Sequence, residues 1–382
     1  MSDSLPTVWP AKPHTLAKHA ILRRYLQAWF PILSFQSHKV QRGSEEILFI
    51  DGFAGPGEYE GGQPGSPIIA LRAAIEHAVR FPVPVRFLFV ELRQDRYERL
   101  HHVLERLSSD IARSANVRVT KPRQGKCDEV LAQMLDEQER KGIRFGPALA
   151  FLDQFGYSAV SMQLMARILA YPQCEVFSYL DYKDMDRFIS DPPKAQGFTN
   201  TWGGEEWRRA IKLPRAERRA CLLESYKEAL RARTNVKYVS SFAMFDTSNR
   251  LLYWLVFCTN NLRGLEEMKK AMWTVDKTGE FRFSDSDDPC QLRLLNQEYD
   301  QAWLGEKLAR DLAGKEMSAA QVKEYVLTNT PCCQFREALR RLETDHDPSI
   351  RIVKAPKGRR RRSFPDESLA DIVIHFQSGR LF

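Results

Sequence analysis

One stretch combines residue types and spacing best suited to chemistry: Ile47-Leu-Phe-Ile-Asp51-Gly52-Phe53-Ala54-Gly55-Pro-Gly57. The apolar run predicts a buried parallel strand, and the glycines predict a turn whose backbone can approach a ligand closely. Asp51 falls at the carboxyl end of that strand, where open α/β sheets bind ligands. The spacing Asp-x-Phe-x-Gly-x-Gly is not the Gly-x-Gly-x-x-Gly of dinucleotide loops. It also lacks the Gly-Lys-Ser/Thr ending of a P-loop, which argues against nucleoside-triphosphate hydrolysis. Glu91, followed by Leu92, closes a second predicted strand, Val85–Val90, and an acid there can accept both hydroxyls of a ribose. Gly125-Lys-Cys127-Asp128 follows a third strand, Asn116–Thr120. Asp128 can accept from an adenine amine or serve as the first-turn charge of the next helix. Asp153 ends a fourth strand, and Phe155 and Tyr157 beside it can stack on an extruded base.

The elements that must position these residues follow in order. Residues 14–34 carry Leu16, Ile21, Leu22, Tyr25, Leu26, Trp29 and Phe30 at helical spacing, and Pro31 predicts an end to that helix. It covers one sheet edge, or it also supplies Lys12, His14, Lys18 or His19 to the mouth of a site. Ser66-Pro67 predicts an N-cap and first turn for a helix over 68–79. Glu175–Leu180 is a fifth strand. Residues 185–234 form a helical insertion with Trp202 and Trp207, long enough to act as a substrate lid. Lys237–Phe245 and Leu251–Thr259 form a closing hairpin around a short polar turn.

The 382 residues suffice for two domains, and Ser284-Asp-Ser-Asp-Asp-Pro289 is a breaker-rich linker. It divides the chain at 286/287. Beyond it, three helices (298–312, 318–328 and 332–343) and a strand at Ile350–Lys354 lead into a basic hairpin. Residues 351–362 hold seven Lys/Arg and no acid. Arg336, Arg340 and Arg341 on the third helix, with Lys357, Arg359, Arg360, Arg361 and Arg362, are the candidate nucleic-acid contacts of a winged helix. The net charge of +8 also favours an anionic partner. Seven scattered cysteines without Cys-x-x-Cys predict reduced thiols in a cytoplasm and no zinc site. The absence of a long apolar run predicts no membrane span.

The first motif resembles that of S-adenosylmethionine (SAM) dependent methyltransferases. With Tyr25, Trp29, Ser66-Pro67, Glu91, Asp153-Gln-Phe-Gly156, Trp207, Leu252-Tyr-Trp-Leu-Val-Phe and Asn261-Leu-Arg-Gly-Leu, the chain resembles the three-Cys-motif partner (TcmP) family of bacterial proteins. The resemblance implies a Rossmann-like class I methyltransferase sheet of seven strands with a closing antiparallel hairpin, and a C-terminal winged helix. It also implies a companion protein with a three-cysteine, radical-SAM-like motif. SAM would be held by Asp51, Gly52, Phe53, Ala54, Gly55, Gly57, Glu91, Leu92, Cys127, Asp128 and Asp153. Where the family usually has Asp-Pro-Phe-Gly, this chain has Gln154. Proline fixes φ, so Gln154 predicts a less constrained turn.

Three functions fit these residues. The first is methyl transfer to nucleic acid, to a base amine, with Asp153 central and Phe155 or Tyr157 stacking. The second is a non-catalytic nucleic-acid-binding partner of the three-cysteine protein, in a defence or mobile-element system. The third is methyl transfer to a ribose hydroxyl among Lys18, Asp153 and Lys183. A carbon-methylating mechanism needs a cysteine nucleophile near the fourth strand, and Cys174 is poorly placed for it.

Overall fold

The computed structural model describes residues 6–39, 45–143, 145–276, 282–284, 301–343 and 349–377. The chain divides into two compact units. The first comprises residues 1–275 and 282–291, and the second 276–281 and 292–382. The expected boundary at 286/287 lies outside the described residues, as do residues 298–300 of the expected first C-terminal helix. No helix among the described residues is long and apolar enough to cross a membrane.

The first unit runs α1 (Pro13–Lys39), β1 (Ile47–Asp51), α2 (Ser66–Ile75), β2 (Val85–Glu91), α3 (Gln94–Arg106), α4 (Ser108–Arg113), β3 (Val117–Val119), β4 (Arg123–Gln124), α5 (Cys127–Arg140) and β5 (Ala148–Leu152). It continues through α6 (Met162–Leu169), β6 (Cys174–Asp181), α7 (Tyr182–Phe188), α8 (Ala195–Trp202), α9 (Arg215–Arg233), β7 (Tyr238–Phe245), β8 (Leu251–Thr259), α10 (Leu262–Trp273) and β9 (Arg282–Ser284). The sheet order is β3-β2-β1-β5-β6-β8-β7-β9, with β4 paired to β2. β1, β2, β3, β5 and β6 are parallel. β8 runs antiparallel to both β6 and β7, and so sits between them. Five parallel strands closed by an inserted antiparallel strand make this a Rossmann-like sheet of the class I methyltransferase type. β9, a short parallel strand beside β7, extends it.

Alternation along the strands divides the core. Phe87 and Phe257 face α1, meeting Phe30 and Tyr25 at ring separations of 5.9 and 5.2 Å. The neighbouring Ile50, Leu88 and Val90 belong to the opposite core with Leu131, Met165 and Ile168. Strands covered on both faces read as continuous apolar runs, which is why they were legible.

Three expectations change. Pro31 does not end α1, which continues to Lys39. A helical proline deprives the carbonyl four residues earlier of its donor. That carbonyl belongs to Gln27, and it accepts instead from His77 Nε2 at 3.1 Å. Ser66 is not the N-cap of α2; Gly65 is, without a side-chain cap, and α2 ends at Ile75. The insertion is not a free lid, because Phe198, Trp202, Trp207, Leu222 and Tyr226 are buried in the core on the Ile50 face.

The second unit contains α11 (Gln301–Asp311), β10 (Glu316–Ser318), α12 (Ala319–Asn329), α13 (Phe335–Leu342), β11 (Ile350–Lys354) and β12 (Val373–Phe376). α12 opens on a capping box between Ser318 and Gln321. The three strands form an antiparallel sheet in the order β10-β12-β11. Its core joins Leu308, Val322, Phe335, Leu339, Ile350 and Ile374. The partner of β11 is β12, not the basic run, so Arg359 to Arg362 lie in the connecting loop rather than on a hairpin strand.

Candidate active site

β1 ends on Asp51, which is fully buried. Its Oδ1 accepts from the Phe53 amide at 3.2 Å, while Oδ2 has no hydrogen-bond partner among the described residues. Burial pushes this carboxyl up to about 7; the Ser66 hydroxyl, the Phe53 amide and Lys18 pull the other way, and Asp153 adds to the rise. Ser66-Pro67 thus serves the site through Ser66. The turn after Asp51 places Gly55 and Gly57 at φ of 62° and 83°, a region open to glycine at little cost. Cys127, at the start of α5, lies so close that a Cβ on Gly52 would fall 2.5 Å from its sulfur. Phe53 and Ala54 line the same turn, with Ala54 buried and its amide bonded to the Val90 carbonyl.

Glu91 at the end of β2 is buried and holds the turn itself. Its Oε2 accepts from the Gly55 amide at 2.9 Å and its Oε1 from the Arg93 amide at 2.8 Å. A carboxylate offers about four lone-pair directions, so two such bonds leave capacity for a diol. Leu92 beside it is 57% exposed, an apolar surface suited to the face of a flat ring. Asp128 accepts from the Ser161 amide at 3.2 Å, so it organises the entry to α6 whatever else it binds. Residues 6–10 lie along the glycine turn. Trp9 is the nearest side chain to Gly55, the Trp9 carbonyl accepts from the Glu60 amide, and Thr7 donates to Asp95 at 2.6 Å. The Arg96 guanidinium stacks 4.5 Å from the Trp9 ring and 5.3 Å from that of Phe155.

Asp153 follows β5 and forms an ion pair with Lys18 of α1. The Lys18 side chain is 7% exposed, and its ammonium lies 5.9 Å from each of two tyrosine rings, Tyr179 and Tyr253, which pack 4.2 Å apart. His19, next on the helix, is buried against Tyr59, with ring centroids 5.7 Å apart. Burial and the adjacent Lys18 lower His19 to about 3, so it is neutral. α1 therefore supplies the site as well as covering the sheet. Lys12 is exposed, while the His14 ring lies 5.8 Å from that of Tyr253. Lys183 is exposed at the start of α7 and makes no ion pair with Asp153.

Two expectations about the turn after Asp153 are corrected. Gln154 does not loosen it. Its Oε1 accepts from the Ala159 and Val160 amides at 2.9 and 3.0 Å, and its Nε2 donates to the Tyr179 carbonyl at 3.0 Å. Side-chain bonds replace the restriction a proline ring would impose. Tyr157 is not available for stacking. It is buried 4.4 Å from Phe198, within the core on the Ile50 face, whereas Phe155 is 62% exposed. Sequence reasoning assigned no role to Tyr179 or Tyr253, because aromatic residues near strand ends read first as core, nor to Tyr59, which lies in the loop after β1.

In the second unit, Arg359 forms a bidentate pair with Glu343 at 2.7 and 3.0 Å, both side chains about nine-tenths buried. Arg336 pairs with Asp366 and donates to the Phe364 carbonyl. The Arg340 guanidinium donates to the Arg362 carbonyl, and the Arg362 amide donates to Glu343. These contacts give Arg336 and Arg359 a structural task. Arg340, Arg341, Lys357, Arg360, Arg361 and Arg362 are exposed.

No protein-family model matches the chain, and no curated protein matches it. The likeness to the three-Cys-motif partner family therefore rests on the quoted residues. Among solved structures, the chain is similar to the DszA carbon methyltransferase at 12% identity and a TM-score of 0.31, over 60% of this chain and 51% of that one. It thus spans about half the length of that protein. It is also similar to precorrin-6y C5,15-methyltransferase from Geobacter metallireducens GS-15, at 8% identity and a TM-score of 0.27, over 60% and 87% of the two chains. A DUF574 family protein from Streptomyces avermitilis MA-4680 aligns at 11% identity and 0.28, over 63% and 83%. The strand order, not these alignments, carries the fold assignment.

Proposed function

We propose that the first unit is a SAM-dependent methyltransferase that acts on nucleic acid. The observation that carries the proposal is Asp51, a buried carboxyl with an unpartnered oxygen beside a glycine turn at the carboxyl edge of the sheet. A buried acceptor without a partner is costly and calls for a ligand donor. The residues fit SAM: Asp51 for its ammonium, Glu91 for its ribose, Leu92 and Cys127 for the adenine faces, and Asp128 for the adenine amine. When bound, the cofactor supplies an electrophilic methyl group on a sulfonium.

A base amine presented at Asp153 would be oriented by its carboxylate, with Phe155 stacking on the base. The Lys18–Asp153 contact favours a second acceptor, a hydroxyl. An amine becomes cationic as it is methylated, and a buried ammonium alongside opposes that charge. A hydroxyl develops negative charge instead. Lys18 would stabilise it while Asp153 takes the proton, the methyl bonds to oxygen, and the electron pair of the broken bond stays on sulfur.

The second unit's order of helix, strand, two helices, strand, loop and strand supports the winged-helix reading. Its exposed basic loop supports nucleic acid as the partner. The test incubates the protein with labelled SAM and mixed DNA and RNA, digests to nucleosides, and identifies the product by mass. A methylated ribose supports the hydroxyl, and an N-methylated base supports the amine. No product, with and without a three-cysteine companion, would favour the non-catalytic partner.

A further inference from the structure

Another buried polar atom at the carboxyl edge lacks a partner among the described residues: His19 Nδ1. It comes from a different element than Asp51 Oδ2, yet the two share neighbours. Lys18, adjacent to His19, and Asp153 both act electrostatically on Asp51. Tyr59 packs against the His19 ring and lies in the field of Asp51 and Asp153. Native structures leave few buried polar atoms unbonded, so two around one place mark a missing ligand with two polar ends. Asp51 can only accept from a cation or a neutral donor once ionised. A neutral imidazole carrying its proton on Nδ1 offers one donor. A ligand that presents an ammonium to one and a carboxylate to the other is an α-amino acid group.

We propose that His19 binds the α-carboxylate of the cofactor's amino-acid end, donating from Nδ1. The inference rests on the SAM reading above and adds a residue outside the strand-end motifs. Arg96 is the obvious rival for a carboxylate. Its Nε is likewise unpartnered among the described residues, but its guanidinium lies over the Trp9 and Phe155 rings and its Nη2 donates to the Pro6 carbonyl. Lys18 is already paired with Asp153. Of the two unpartnered donors, His19 is the one that shares the neighbours Lys18 and Tyr59 with Asp51.

The experiment is calorimetric titration of the full chain with two ligands. S-adenosylhomocysteine has the amino-acid group, and 5′-methylthioadenosine lacks it. Replacing a hydrogen-bond donor to a charged group should weaken binding by about tenfold or more. His19→Ala is therefore expected to weaken S-adenosylhomocysteine by that factor and leave 5′-methylthioadenosine unchanged. His19→Gln, which restores an amide donor, should recover part of the loss. The unchanged affinity for 5′-methylthioadenosine also shows that the variant has folded. Equal weakening of both ligands, or no weakening of S-adenosylhomocysteine, would overturn the role of His19 while leaving the cofactor reading intact. A wild-type protein that binds neither ligand would overturn both.

Discussion

Asp51 gives the site its electrostatic character. Its folded-state carboxyl is raised to about 7 from an ordinary 3.8, burial being the main cause. Between those values the folded protein holds a proton that the unfolded chain has released. The contribution of Asp51 to stability therefore falls as pH rises through that window. Asp51→Asn should remove this dependence and raise Tm relative to wild type above pH 7. Thermal scans between pH 4 and 8 check it, and parallel pH profiles for the two proteins would contradict it. Gln154 makes a separate structural prediction. Gln154→Ala leaves the buried Val160 amide without its acceptor, at about 1–3 kcal/mol. Denaturant unfolding measures the loss. Gln154→Pro should not restore stability, because proline supplies no acceptor for that amide.

At the scale of elements, α1 carries more than its hydrophobic spacing suggests. The acid-and-glycine motif of β1 and the positions of the parallel strands were legible because buried strands are continuous apolar runs with chemistry at their ends, whereas the arrangement of the sheet came from the family resemblance. The helical pattern located α1 but left the roles of Lys18 and His19 open. A lysine near an apolar stripe is as compatible with a solvated tip as with a buried ion pair. Tyr157 was misplaced because the direction of an exit loop is set by tertiary packing against Phe198. The carbonyl that Pro31 leaves without a donor is bonded by His77, far away in sequence. Lys18→Met should lower methyl transfer by at least ~10²-fold, the scale of losing one preorganised electrostatic partner. Cofactor affinity should change little. Single-turnover transfer from labelled SAM measures it, and an unchanged rate would remove Lys18 from the chemistry.

For the molecule as a whole, the two units bring different capacities. The first has the features of a cofactor site, and the second concentrates exposed basic residues on one loop. The pairing of Arg359 with Glu343 separates a structural arginine from the exposed ones. Arg359→Ala strands a buried carboxylate and should destabilise the second unit by about 3–5 kcal/mol. Substituting alanine at Lys357, Arg360 and Arg361 should instead spare stability. It should flatten the dependence of duplex-DNA affinity on salt, by up to roughly 0.9 in slope per lost phosphate contact. Salt titrations with thermal unfolding of both variants distinguish these outcomes.

The central claim is that the carboxyl edge of the first unit, around Asp51 and Glu91, holds SAM. Calorimetric titration of S-adenosylhomocysteine into wild type and Glu91→Ala tests it most directly. Glu91 supports the turn and would also meet the ribose, so its loss should weaken binding by at least about 1.5–3 kcal/mol. The account predicts saturable one-site binding by the wild type and that loss in the variant. No binding by the wild type at millimolar ligand would contradict it.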